Sequence, residues 1–285
     1  MHQSVLLNEV LNYLNLSPGK KIIDCTFGWG GHSLEILKRV QPNGQVLGIE
    51  RDQEVFKKQK EEEGLILKQG NFSDLKKISK DFNPVDGILL DLGLSSWQID
   101  QSQRGFSFLK DEPLIMRTGP EGITAWEIVN GWTESQLRRI ILDYGEEKYA
   151  GRIAKLIYKK RRKEKIKTTY QLIDIIKEAV PISYQRKKIH FATKTFQALR
   201  IAVNDELGNL EKVLPQALEI LKKDGRLVVI SFHSLEDRIV KNFFRQQNQE
   251  KKLKILTKKP VSPTLEEIKI NSRSRSAKLR VIQKI

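Results

Sequence analysis

Cysteine is almost missing from this sequence: Cys25 is the only one in 285 residues. A lone thiol excludes an internal disulfide framework and any zinc cluster built on cysteine pairs. Histidine is nearly as scarce, and the four present, His2, His32, His190 and His233, show no metal-ligand spacing. Long apolar runs are missing too. No stretch approaches the roughly 18 uninterrupted apolar residues of a bilayer-spanning helix, and MHQSVLLNEV has no basic region followed by a hydrophobic one. The expectation is a cytoplasmic chain with no membrane partner. Acidic residues are the third shortage: 35 Asp and Glu face 51 Lys and Arg, a formal net charge of +16. Such an excess points to a polyanionic partner, with a merely basic surface as the plain alternative.

A length of 285 residues with 39% hydrophobic residues excludes a disordered tail or mini-protein. In the first third, short β-rich runs at 21–24, 45–50, 65–69 and 86–91 alternate with helical segments at 33–40 and 53–63. This βαβ rhythm predicts a parallel, doubly wound sheet. From about Thr124 to Val180 helical patterns follow one another without a strand. A buried-strand signature returns only at GRLVVISF, residues 225–232, after an amphipathic run over 210–222 and a turn at Lys223-Asp224-Gly225. One helix suffices for a crossover, so the extra residues read as an inserted helical domain. The expected division is 1–105 and 198–285 for the sheet domain and 106–197 for the insertion. Near the end, 253–257 and 279–283 could pair as an antiparallel edge.

The segment IIDCTFGWGGHS leaves a strand through Gly28, Gly30 and Gly31 and enters a helix, which permits a tight turn and close approach of a ligand. Glu50 ends the second strand twenty positions after Gly30, where an acid accepts hydrogen bonds from ribose hydroxyls. A nicotinamide dinucleotide and S-adenosylmethionine both fit, although Ser33 stands where a dinucleotide fingerprint prefers Gly or Ala. Phe72 would lie against an adenine, with Asp74 accepting a hydrogen bond nearby, or would be plain core. Asp91 ends the strand DGILLD at the ligand-binding edge of the sheet, or caps the following turn.

The motifs HQSVLLNEVL, DCTFGWGGHS, IERD, DGILLDLGLSSWQID, RGFSF, YGEEKYAGRIA, FQALRIAVNDEL, VISFHSLEDRIVK and NSRSRSAKLRV resemble the MraW/RsmH family of bacterial small-subunit rRNA (cytosine-N4) methyltransferases along nearly the whole chain. The resemblance implies a class I, Rossmann-like methyltransferase sheet with an inserted all-helical domain, and S-adenosylmethionine as cofactor. It implies Gly30, Gly31, His32, Glu50, Phe72, Asp91 and Gln98 as cofactor-binding residues, and N4 of the decoding-region cytidine 1402 of 16S rRNA as the methyl acceptor. The implied partner is small-subunit rRNA or the small ribosomal subunit; the oligomeric state is left open. The chain departs from the family with Glu50 in place of Asp, and with Ile115 where PLDMRM has an acid.

An acceptor for the N4 proton would help methyl transfer to a weakly nucleophilic amine, and Asp91 is the first candidate, with His233 the second. The alternative for His233 is a helix start at Ser234-Leu-Glu-Asp237. Cys25 reads as buried packing, against attack at cytosine C5. RNA contacts are expected from Arg273, Arg275, Lys278 and Arg280 and from the run Lys159–Lys163 with Lys165 and Lys167, unless that run is a solvated face. Trp97, Phe106 and Phe108 would stack on a splayed-out base or form core. Two other readings remain: a catalytically weak RNA-binding assembly factor, motivated by Ile115, and, more distantly, a nucleotide-dependent oxidoreductase.

Overall fold

A computed structural model describes residues 4–60 and 62–285, so His2 and one residue of the expected 53–63 helix lie outside it. The chain divides into two compact units, the first holding the chain up to Gly93 together with Leu207–Ile285 and the second Leu94–Glu206.

The first unit is built on seven strands: β1 (Lys21–Asp24), β2 (Gln45–Glu50), β3 (Leu65–Gln69), β4 (Val85–Asp91), β5 (Leu221–Ser231), β6 (Leu253–Ile255) and β7 (Lys278–Lys284). Their order is β3-β2-β1-β4-β5-β7-β6. The first five are parallel, and β7 runs antiparallel between β5 and β6. Successive side chains point to opposite faces of a strand. Accordingly Ile23, Leu47, Ile88 and Leu227 enter one core, and Ile22, Val46, Leu89 and Val228 the other. Both faces are buried, which is why the strands read as continuous apolar runs. This is the Rossmann-like sheet that the resemblance implies.

The segments 253–257 and 279–283 pair as the expected antiparallel edge, with β7 against β5 and the three-residue β6 closing the sheet. Two details differ from expectation. The helix expected over 53–63 stops at Phe56, because 57–64 offers no apolar side chain to bury. The crossover helix is Glu206–Ile220, and the expected turn is a bulge inside β5, where Asp224 has φ 64° and the register jumps from Val85 opposite Leu221 to Gly87 opposite Arg226.

In the second unit the helices Ala125–Gly131, Glu134–Asp143, Ala150–Lys160, Thr169–Ala179 and Thr193–Asn204 share one apolar core. Thr124, Thr133 and Thr168 open three of them as capping boxes with Glu127, Gln136 and Gln171. The unit is wider than the expected 106–197. Helix Thr193–Asn204 runs through the expected boundary and buries Phe196, Leu199 and Val203 in this core. At its end Asn204 accepts from the Thr118 amide (2.9 Å) and donates to the Met116 carbonyl (2.7 Å). Among the described residues, no helix is long and apolar enough to cross a membrane.

Candidate active site at the carboxyl edge of the sheet

Parallel strands deliver their last residues to one edge, and here β1, β2 and β4 end in Asp24, Glu50 and Asp91. Asp24 accepts from the Thr26 amide (3.0 Å) and from the Ser33 hydroxyl (2.7 Å). Ser33 thus ties the start of helix Gly31–Val40 to the end of β1, a reason for serine at that position that owes nothing to which cofactor binds. Gly30 is the helix N-cap at φ 77°, a left-handed conformation that favours glycine. A Cβ on Gly31 would fall 2.2 Å from the Ser4 hydroxyl, so the N-terminal segment packs against the turn only because no side chain is there.

Glu50 accepts from the Gly28 amide (2.8 Å) through one oxygen and from the Asp52 amide (2.6 Å) through the other. The longer side chain, compared with the family's Asp, therefore spans from the end of β2 to the glycine turn. Burial raises its pKa to about 7, against the lowering effect of those amides.

His32 links two parts of the site. Its Nε2 lies 3.0 Å from the Val5 carbonyl, which fixes the proton on that nitrogen, and its Nδ1 faces Asp91 Oδ2 at 3.6 Å. Among the described residues, Asp91 Oδ1 is buried without a hydrogen-bond partner. Burial raises the Asp91 pKa to about 6; His32 opposes the rise, while Asp24 and Glu236 add to it. A carboxylate with one unsatisfied oxygen, held in part by an imidazole, can accept a proton from a neighbouring donor.

His233 is committed elsewhere. It is the N-cap of helix Ser234–Gln249, its Nδ1 accepting from the Glu236 amide (3.4 Å) while Glu236 reaches back to the Phe232 amide (2.8 Å). The helix start foreseen at Ser234 is real but begins one residue earlier, and the imidazole is its cap. Phe72 lies in the turn after β3, half-buried against the sheet core, and Asp74 in the same turn is exposed. Asp24 and Glu236 were not singled out from the sequence. For Asp24 the signal was available, since it ends a strand just before the glycine turn; for Glu236 it was masked by its capping role.

Gln98 belongs to the second unit, where it is buried and closes a capping box with Ser95 at the start of helix Ser96–Asp100. There too, Phe108 stacks on His190 with ring centroids 4.5 Å apart, and Phe106 packs on the same core. These two rings are core. Trp97 carries the Arg104 guanidinium 5.7 Å from its ring centroid. Arg117 donates to the Gly122 carbonyl at 2.6 Å, a partner that Ile115 cannot provide.

Of the basic residues expected to meet RNA, Arg273 and Arg275 project from the exposed turn Ser272–Ser276, and Lys278 is partly exposed beside Asp237. Arg280 is a correction. It points inward from β7, with Nε 2.6 Å and a terminal nitrogen 3.2 Å from the two Asp237 oxygens. Those bonds, together with Lys278, hold the Asp237 carboxyl below its usual range. In the run at 159–163, Arg161 donates to the Val129 carbonyl (2.7 Å) and Lys160 pairs with Glu178 (2.8 Å), whereas Lys159, Arg162 and Lys163, like Lys165 and Lys167 beyond it, are exposed.

The family model described as the MraW methylase family matches residues 1–285. The chain belongs to this family. It is 45% identical over 306 residues to the ribosomal RNA small subunit methyltransferase H of Clostridium botulinum strain Kyoto, covering 100% of this chain and 99% of that protein. The protein of the same name from Heliobacterium mobile is 43% identical over 308 residues, with the same coverage. Among solved structures, an rRNA methylase from Streptococcus thermophilus is similar at 7% identity and a TM-score of 0.45, covering 100% of this chain and 99% of that one.

Proposed function

We propose that the chain is an S-adenosylmethionine-dependent methyltransferase of small-subunit rRNA, acting in the cytoplasm on N4 of the decoding-region cytidine 1402. The observation that carries the cofactor is electrostatic. Asp24, Glu50, Asp91 and Glu236 gather at one edge of the sheet, and among the described residues none is paired with a Lys or Arg side chain. A pyrophosphate would meet uncompensated carboxylates here, whereas a cofactor with a cationic sulfur and an ammonium group meets its complement. This disfavours the nicotinamide reading.

When bound, S-adenosylmethionine supplies an electrophilic methyl group. Gly28, Gly30 and Gly31 give the backbone close approach, and Glu50 keeps a lone pair on each oxygen for the ribose hydroxyls. His32 and Asp91 border the same edge, and Phe72 offers a half-buried ring for the adenine. The unpartnered Asp91 Oδ1 accepts the proton that N4 must lose. Its raised pKa suits it to take up that proton near neutrality, a contribution of roughly 10²–10⁴-fold. His32 Nδ1 faces the other oxygen of this carboxylate at 3.6 Å, which leaves Oδ1 as the oxygen open to the substrate. Support for the rRNA substrate comes from family membership and from the full-length similarity to small subunit rRNA methyltransferases.

The test is methyl transfer from labelled S-adenosylmethionine to small subunits lacking the modification, followed by chromatography of the nucleosides. Label co-migrating with N4-methylcytidine is the expected result. Cofactor binding with no transfer to any subunit or precursor would favour the assembly-factor reading instead.

A further inference from the structure

Helix Ala150–Lys160 buries Ala150, Ile153, Ala154 and Ile157. At 3.6 residues per turn the opposite side carries Arg152, Lys155 and Lys159, spaced three and four apart, and Lys148 stands in the turn that leads into the helix. All four are exposed, and 148–163 contains no acidic residue. None of the four forms an ion pair with a described residue, whereas Lys160, off this face, pairs with Glu178. A solvated helix face ordinarily mixes signs, because like charges three and four apart destabilise a helix by about 0.2–0.5 kcal/mol per pair. Here no ion pair with a described residue compensates the repulsion.

The N-terminal end of this face is a rigid aromatic corner. The Tyr149 and Tyr184 rings meet edge to face, centroids 4.9 Å apart. Lys148 sits 4.7 Å from the Tyr149 centroid and 5.5 Å from that of Tyr184, with Lys187 5.2 Å from Tyr184 and Arg152 5.8 Å from Tyr149. The Tyr184 hydroxyl donates to the fully buried Glu147 at 2.6 Å, and the other Glu147 oxygen accepts from the Tyr149 amide at 2.8 Å. Burial, and then that carboxylate, push the Tyr184 phenol well above its usual range. The buried acid at this corner is thus used up in holding the rings. The rings hold three cations in turn, so part of the entropy cost of ordering them on a ligand is already met.

We propose that this face, from the Tyr149–Tyr184 corner to Lys159, is a track for the phosphate backbone of an RNA strand. Unlike the exposed turn at Arg273 and Arg275, it is a row: eleven residues at 1.5 Å each extend it over about 16 Å, enough for several successive phosphates. The half-exposed Tyr149 ring adds a surface on which a base can stack. The proposal rests on the rRNA reading above.

The test compares the full-length wild type with Arg152→Gln/Lys155→Gln/Lys159→Gln, measuring binding to unmethylated small subunits and to deproteinised small-subunit rRNA over a range of salt. The variant should bind both at least tenfold more weakly. Its log–log salt slope should be shallower by about 2–3, from roughly 0.7–0.9 for each phosphate no longer neutralised. Melting temperature and S-adenosylmethionine affinity should be unchanged, and kcat at saturating subunit should hold while KM rises. Arg152→Lys/Lys155→Arg/Lys159→Arg should bind as wild type. Unchanged affinity and slope beside an active wild type would overturn the track alone; weaker binding only to assembled subunits would overturn it in favour of a protein contact. A wild type that binds no rRNA would overturn the track and the rRNA reading together.

Discussion

The carboxyl edge of the sheet and the outer face of helix Ala150–Lys160 are electrostatic opposites. Among the described residues, one gathers mostly buried acids with no Lys or Arg side chain paired to them, the other exposed bases with no acid paired to them. Burial makes the difference in what each can do. At the edge, few charges act strongly at short range, because water is excluded and each carboxylate has a defined partner or a defined unsatisfied oxygen. On the helix each charge is weak and screened by salt, and only the row is effective. The edge therefore selects one small cationic ligand, while the face serves a long anionic one of any sequence.

Removing the unsatisfied acid from the edge would break this contrast most severely. Asp91→Asn should lower single-turnover methyl transfer by roughly 10²–10⁴-fold while rRNA binding and its salt slope stay unchanged. The wild-type rate should fall as the pH drops below about 6, because the carboxyl must be ionised to accept a proton. A variant retaining more than a tenth of the rate would remove Asp91 from that role.

Arg280 and Arg273 share one sequence motif, yet the first is buried against Asp237 and the second is exposed. Arg280→Ala leaves the largely buried Asp237 with only the Lys278 ammonium at 3.4 Å, and should cost about 1.5–3 kcal/mol in denaturant unfolding with the rRNA salt slope preserved. Arg273→Ala should do the reverse, changing stability by less than about 0.5 kcal/mol while flattening the slope by roughly 0.7–0.9.

That divergence shows where the sequence stops being legible. The five parallel strands, the glycine turn and the acids at 50 and 91 are local signals: apolar runs bounded by turn residues, with polar groups at the strand ends. The inner position of β7 depends on its pairing with both β5 and β6, and the inward turn of Arg280 on a partner, Asp237, on a helix 43 residues away in the chain. His233 shows the same limit on a smaller scale, since its sequence context fits a catalytic base and a helix cap equally well, and only the hydrogen bond to the Glu236 amide separates them. In the second unit the helices were legible from their periodicity and capping residues, but its edges were not, because Asn204 and the loop it holds are joined only by folding.

Glu50 gives a smaller effect with a definite sign. Its pKa is raised, so the neutral carboxyl is the form that the cofactor-free fold favours. The stability it contributes is complete below about pH 4.5 and is lost as the pH rises through about 7. Ribose hydroxyls require the ionised form, so S-adenosylmethionine affinity should change in the opposite direction and weaken by up to tenfold per unit below pH 7. Glu50→Gln should bind the cofactor roughly tenfold more weakly with no such pH dependence, as isothermal titration at pH 6 and pH 8 would show. A flat wild-type profile would mean that the ribose lies elsewhere.

The smallest effect belongs to Cys25, which sits between Asp24 and the glycine turn, where a nucleophile for a covalent base adduct would be close to the cofactor. Its environment forbids that use. The side chain is buried in the sheet core, its amide is held by the Leu89 carbonyl at 2.9 Å, and burial together with the Asp24 carboxylate drives its pKa well above that of a free thiol. A reactive cysteine needs the opposite surroundings, electropositive and partly open. Cys25→Ala should leave methyl transfer within about twofold and cost roughly 1 kcal/mol of stability for the lost packing. Loss of transfer in a variant that still folds and binds cofactor would instead make the acid edge a site for attack on ring carbon and displace Asp91 from its role as proton acceptor.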